Sequence, residues 1–313
     1  MSQTMIWAYL IHLGVNMWGD PGSAERYAHY YDALPTDEAV WKQTVDFLPS
    51  RGVNTLVIDL GEAVQYESHP EISISGAWSK DKLRRELDRI RGLGMTPIPK
   101  LNFSAGHDAW LGKYARMLST PEYYRVCGDL IREVAELFGH PALFHLGMDE
   151  EDSANQSKYQ LCVIRGAELW WHDAKFFFDL CEQAGARPWV WADRYWSYPE
   201  DYLQNMPKSV LQSNWFYWPA VRNPDGSYVK KGLAAYGELD RAGYDQVPTC
   251  STWNCWYNAQ ETMELAKAEL SPERLKGFMT APWIFTEEQG RYALLNDAQR
   301  FYYARRLVYP ETL

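Results

Sequence analysis

The feature that most constrains this chain is a repeated alternation of short β-rich runs with longer amphipathic stretches. The runs fall at 7–13, 53–60, 96–101, 142–147, 188–192, 210–213, 247–251 and 277–281, and the stretches at 36–50, 79–93, 121–138, 165–184, 199–205, 230–242, 258–269 and 287–306. Alternation of this kind specifies βα units and a parallel sheet. Eight units predict a closed α/β architecture, the (β/α)8 or TIM barrel, as one domain over residues 1–313. Barrels of about 250 residues with loop insertions form single domains. Gly52, Gly94, Gly139, Gly185 and Gly243 each end a helical stretch before a strand, where a left-handed cap belongs. Thr36, Ser79 and Thr120 precede acidic or Pro-acidic first turns and are the expected N-caps. Connections after strands 1, 2, 3, 4 and 6 are long and rich in Trp, Asn, Asp, Gly and His, which marks the C-terminal mouth as the functional face. A doubly wound sheet is the architectural alternative, but no GxGxxG follows strand 1.

Composition excludes several classes of function. The net charge is −10 and no basic run exceeds Lys230-Lys231, so nucleic acid is not an expected partner. No stretch approaches the roughly 18 uninterrupted apolar residues of a membrane span, and the N-terminus lacks a basic, cleavable leader pattern. The expectation is a soluble, cytoplasmic protein with no membrane partner. Five cysteines without a CxxC pair fit reduced thiols rather than a disulfide framework or a zinc site. Fifteen tryptophans and twenty-one tyrosines exceed ordinary needs. Most must pack the core, but those beside polar residues at strand ends suit stacking on apolar ligand faces. The aromatic stretch 215–218 suits either a subsite or a homo-oligomer interface, and the sequence leaves both open.

The segment Phe144-His-Leu-Gly-Met-Asp-Glu-Glu-Asp152 is an apolar strand running into four consecutive acids. It puts Asp149 and Glu150 at the barrel mouth. Neighbours on an extended chain have Cα atoms about 3.8 Å apart and side chains on opposite sides. Such a pair does not easily flank one anomeric carbon as acid and nucleophile about 5 to 5.5 Å apart. Glu150 is therefore expected as general acid, with Asp149 orienting the attacking group. Asp59, Glu62 and Asp193 are further strand-tip carboxylates, each open to hydroxyl binding, water activation or helix capping. Strands 6 to 8 end in Asn214, Trp253 and Trp283, with no acid. His12, Asn16 and Trp18 after strand 1, and Lys100, Asn102 and His107 around strand 3, are expected to converge on a polar subsite. His145 lies inside its strand and no HxH or HExxH brings two imidazoles together, so neither a metal nor an organic cofactor is expected. The absence of GxSxG disfavours serine esterase chemistry.

The run His145-Leu-Gly-Met-Asp-Glu150 resembles the His-x-Gly-Gly-Asp-Glu motif of the family 20 β-N-acetylhexosaminidases, with Met148 in place of the second glycine. Thr96-Pro-Ile-Pro-Lys-Leu-Asn-Phe-Ser-Ala-Gly-His107 is similar to that family's third-strand segment, with Lys100 where an acid is usual. His12 and Asn16 stand where the family carries an arginine. The resemblance implies that Glu150 is acid and base, and that Asp149 positions a 2-acetamido group whose carbonyl oxygen attacks the anomeric carbon. It also implies that His107 supports the acid and that Trp191, Trp253 or Trp283 wall the acetamido pocket. The resulting expectation is a retaining exo-glycoside hydrolase acting on a terminal N-acetylhexosamine or related sugar, with carbohydrate as its partner. One alternative is a barrel glycosidase pairing Glu150 with Asp193 or Asp59 on a sugar without the acetamido group. The other is a carbohydrate-binding barrel without turnover.

Overall fold

The computed structural model describes residues 5–20, 22–157, 159, 161–219 and 227–313. Its strands are β1 (Ile6–His12), β2 (Thr55–Asp59), β3 (Thr96–Lys100), β4 (Leu143–His145), β5 (Arg187–Trp191), β6 (Leu211–Ser213), β7 (Thr249–Cys250) and β8 (Gly277–Thr280). All pair in parallel, in the order β6-β5-β4-β3-β2-β1-β8-β7. Bridges Gln212 to Gln246 and Trp215 to Thr249 join the two ends of that order and close the barrel. The helices are α1 (Glu38–Phe47), α2 (Lys80–Gly92), α3 (Pro121–Leu137), α4 (Ala167–Gln183), α5 (Arg194–Ser197), α6 (Pro199–Asn205), α7 (Ser227–Arg241), α8 (Asn258–Glu269) and α9 (Arg291–Val308). Each expected strand and helix has its counterpart, and the chain is a (β/α)8 barrel.

The strands form because both faces are covered. Every residue of Thr-Leu-Val-Ile-Asp in β2 is buried, the near-continuous apolar reading of a parallel strand between a packed interior and a helical ring. The helices carry the complementary stripe. In α2 the buried residues are Leu83, Leu87 and Ile90, spaced four and three apart on one face of an otherwise charged helix. Burying each such side chain stabilises the packed state by roughly 1.5 to 3 kcal/mol. Among the described residues, no helix is long and apolar enough to cross a membrane.

The punctuation has a direct physical basis. Gly52, Gly94, Gly139, Gly185 and Gly243 have φ of +71°, +83°, +71°, +84° and +86°, a conformation that a Cβ disfavours. Ser79 and Thr120 cap α2 and α3 through their hydroxyls. The expectation for Thr36 is corrected. Asp37 caps α1, accepting from the amides of Ala39 and Val40, while the Thr36 hydroxyl donates to the Leu13 carbonyl. The ionised carboxylate is the better acceptor at a helix N-terminus, which frees Thr36 to tie the first strand-to-helix loop to the barrel rim. In the stretch 215–218, Trp215, Phe216 and Tyr217 are buried within this chain, and Trp215 packs against Trp196 and Tyr217.

Candidate active site

Strand register builds the floor of the mouth. His12 lies opposite Asp59, Asp59 opposite Lys100, and Lys100 opposite His145, so one tier of four polar residues crosses β1 to β4. Lys100 is fully buried, and a buried ammonium requires a partner. It donates to Asp59 Oδ2, which His12 Nδ1 also approaches at 3.4 Å. Burial alone would raise the Asp59 pKa, but Lys100 and His12 hold it well below the usual carboxylate range. The two charges neutralise each other in the floor. On the far side of His12, Nε2 has no hydrogen-bond partner among the described residues, and the ring lies 6.0 Å from Trp18 and 5.7 Å from Trp283. His145 is an interior residue packed on Trp189 and Trp191, with burial holding its pKa well below the ordinary value.

Above this floor the chain leaves β4 in an unusual backbone. Gly147, Met148 and Glu150 have φ of +69°, +72° and +52°. The close approach of Asn102 demands glycine at 147, where a Cβ would lie 2.1 Å from Asn102 Oδ1. For Met148 and Glu150 the left-handed conformation costs roughly 1 kcal/mol or more each. Three hydrogen bonds over-determine the turn: Met148 N to Asn102 Oδ1 at 3.3 Å, the Ser104 hydroxyl to the Asp149 carbonyl, and Glu150 N to Asp193 Oδ2 at 2.9 Å. The extended-chain argument for Asp149 and Glu150 is thereby corrected. The left-handed turn breaks the alternation of side chains, and the two carboxylates reach the same imidazole.

That imidazole is His107. Its Nδ1 lies 3.1 Å from Asp149 Oδ1 and its Nε2 3.4 Å from Glu150 Oε2. Burial pulls the His107 pKa down, but Asp149 and Glu150 outweigh it and push the value up to about 9. At neutral pH the ring is an imidazolium between two acids. Asp149 is buried, yet the His107 charge, Lys100 and the Asn102 amide, which donates to Oδ1 at 2.9 Å, lower its pKa. Asp149 Oδ1 takes both of those bonds and Oδ2 takes neither. Glu150 is half-buried. His107, Asp149 and Glu150 offer one ligand atom each within 4.8 Å of one another, a spacing compact enough for a cation.

Asp193 follows β5 and accepts two hydrogen bonds from protein groups. Its Oδ2 accepts from Glu150 N, its Oδ1 from Trp215 Nε1 at 3.3 Å, and burial beside Asp149 and Glu150 raises its pKa to about 7. Glu62 is also buried and pushed up to about 7, with Oε1 accepting from the amides of Val15 and Asn16 at 2.8 and 3.1 Å. It pins the loop that carries Trp18. Trp18, Trp191 and Trp283 form a wall, with ring centroids 5.8 Å apart for Trp18 and Trp283 and for Trp191 and Trp283, and Trp18 meets His107 edge-on at 5.9 Å.

His12, Trp18, Asp59, Lys100, Asn102, His107, Asp149, Glu150, Trp191, Asp193 and Trp283 thus lie in one connected cluster. Outside this set, two further expected residues are occupied and a third is exposed. The Asn16 amide pairs with the backbone of Tyr31, and Asn214 accepts from Trp196 Nε1 and donates to the Gly232 carbonyl. Trp253 is 58% exposed and packs on none of the three wall tryptophans. The sequence reading missed Ser104 and the Glu151–Arg165–Asp173 network, and it left Trp215, within the stretch 215–218, open between a subsite and an interface. Ser104 lies inside the third-strand segment already singled out. Arg165, by contrast, follows a loop with no spacing to suggest that it meets Glu151 Oε1 at 2.7 Å and Asp173 Oδ2 at 2.8 Å.

No family model matches the chain, and no curated protein matches it in sequence. Solved structures do. A Flavobacterium johnsoniae chitobiase aligns with a TM-score of 0.61 at 17% identity over 85% of this chain and 46% of its own, so this chain spans about half its length. A Bacteroides fragilis β-N-acetylhexosaminidase gives 0.63 at 14% identity over 99% of this chain and 71% of its own. A family 20 exo-β-N-acetylglucosaminidase from Vibrio harveyi gives 0.64 at 15% identity over 99% and 58%. The chain therefore has the fold of the family 20 β-N-acetylhexosaminidase barrel, at wide sequence distance.

Proposed function

We propose that this chain is a retaining exo-glycoside hydrolase that removes a terminal N-acetylhexosamine by acetamido-assisted catalysis. The observation that carries the reading is the Asp149–His107–Glu150 constellation beside the wall of Trp18, Trp191 and Trp283. The fold shared with the enzymes above supports it. In this mechanism Asp149 Oδ2 accepts the acetamido N–H and raises the nucleophilicity of the carbonyl oxygen. That oxygen forms a bond to the anomeric carbon as the glycosidic C–O bond breaks, and Glu150 gives its proton to the departing oxygen. Water then opens the bicyclic intermediate, losing its proton to Glu150, so the anomeric configuration is retained and the acid is regenerated. His107 holds both carboxylates in register through its two ring nitrogens. The fixed charge of the imidazolium also stabilises Glu150 as the anion left after proton donation.

The test is hydrolysis of 4-nitrophenyl glycosides, with and without 2-acetamido groups, by the wild type and Glu150→Gln. Turnover confined to acetamido substrates, and reduced about 10²- to 10⁴-fold in the variant, is expected from loss of a general acid. Turnover of plain glycosides instead would move the chemistry to a conventional carboxylate pair. No turnover of either, with sugar binding unchanged in Glu150→Gln, would reduce the site to a binding module.

A further inference from the structure

The cluster contains a partly buried carboxylate that the mechanism above does not use. That carboxylate is Asp193. It precedes α5, yet its side chain makes no capping bond there. Both oxygens are instead spent on two donors from different strand tips, Glu150 N after β4 and Trp215 Nε1 after β6.

The backbone explains why a side chain is needed. The β4–β5 ladder continues past the assigned strands through Leu146 N to the Trp189 carbonyl at 2.8 Å and Trp191 N to the Gly147 carbonyl at 3.0 Å. Beyond Gly147 the chain turns left-handed and leaves the ladder, so the Glu150 amide has no strand carbonyl to donate to. Asp193 Oδ2 supplies that acceptor at 2.9 Å. The same carboxylate is tied to Trp215, which stacks on Tyr217 at 5.1 Å, and Tyr217 reaches Trp283 of the wall at 6.3 Å.

We propose that Asp193 is a positioning residue for the acid: by accepting the Glu150 N–H it holds the left-handed backbone that aims the Glu150 carboxyl at His107 and the pocket. This role rests on the catalytic assignment of Glu150 made above. It differs from the hydroxyl-binding and water-activating roles considered for Asp193, because each oxygen already accepts a hydrogen bond from the protein.

The experiment compares Asp193→Asn, which keeps an acceptor oxygen, with Asp193→Ala and the volume-matched Asp193→Leu, which do not. All three remove the charge, so differences among them report the hydrogen bond. Ala and Leu are expected to lower kcat about 10- to 100-fold, part of what general acid catalysis supplies, with KM moved less than about 3-fold and Asn close to wild type. Titration of His107 followed by NMR gives a readout that needs no turnover. In Ala and Leu the Glu150 carboxylate swings away from Nε2 and the His107 pKa falls from about 9, whereas in Asn it holds. In the wild type the Glu150 amide should resist hydrogen exchange. Equal kcat and equal His107 titration in Asn and Leu would overturn the proposal, as would an unprotected Glu150 amide. If the wild type turns over no glycoside, the function assigned above fails, and the His107 titration with amide exchange still decides the role of Asp193.

Discussion

At the scale of single residues, charge sharing dominates. His107 is buried, its pKa is raised from 6.5 to about 9, and both of its carboxylate partners sit on the same turn. The sign of the linkage follows. A raised histidine contributes stability that is fully present below the unfolded value near 6.5 and is lost as pH climbs through about 9. The loss for this group is on the order of 3 kcal/mol. Urea titrations from pH 6 to pH 10 should show this decline, and His107→Gln should flatten it. A decline of the same size in the variant would mean that other groups cause it. Lys100 illustrates the same principle in the floor, where a cation in the barrel interior is tolerated because Asp59 is directly opposite it in register.

At the scale of elements, local backbone geometry sets where helices stop and where the acids point. Gly185 ends α4 at φ +84°, and a Cβ there would meet nothing within 4 Å, so Gly185→Ala tests backbone strain alone. A loss of about 1 kcal/mol is expected by chemical denaturation, and an unchanged midpoint would contradict a strained left-handed cap. Gly147 is the opposite case, since its Cβ would collide with the amide that holds Asp149. The turn after β4 stores its strain in Met148 and Glu150, next to the groups assigned to the chemistry, and neighbouring loops restrain it through Asn102, Ser104 and Asp193.

At the scale of the molecule, buried ion networks tie the long loops of the mouth to the outer helices. Arg165 is nearly inaccessible and bonds Glu151, one residue from Glu150, and Asp173 in α4, while Ala105 N donates to Glu151 Oε2 at 3.1 Å. This links the loops after β3 and β4 to the helical ring. Arg165→Met would leave two buried carboxylates without their cation, and breaking a buried pair this way is worth about 3 to 5 kcal/mol. Urea unfolding should show that loss, and a value under about 1 kcal/mol would mean that solvent reaches the network. The wall tryptophans come from the tips or loops of β1, β5 and β8, so only barrel closure assembles them.

The sequence by itself determined the elements and their order, because burial on both faces writes apolar runs, amphipathic periodicity writes helices, and glycine marks each left-handed stop. It also determined that acids stand at the tip of strand 4, and the motifs around His107 and Glu150 were legible as a resemblance. Only the tertiary structure decided how those acids face each other. Residue spacing implied an extended pair pointing apart, and positive φ at Met148 and Glu150 turned both onto His107. It also decided which polar residues are free. Asn16, Asn214 and Asp193 look alike as strand-tip groups in a sequence, yet each spends its hydrogen bonds on partners from other parts of the chain. Those pairings depend on how the strand-to-helix loops fold back over the barrel, and periodicity carries no record of that. Trp253 stays exposed for the same reason, since its strand end was predictable and its direction was not.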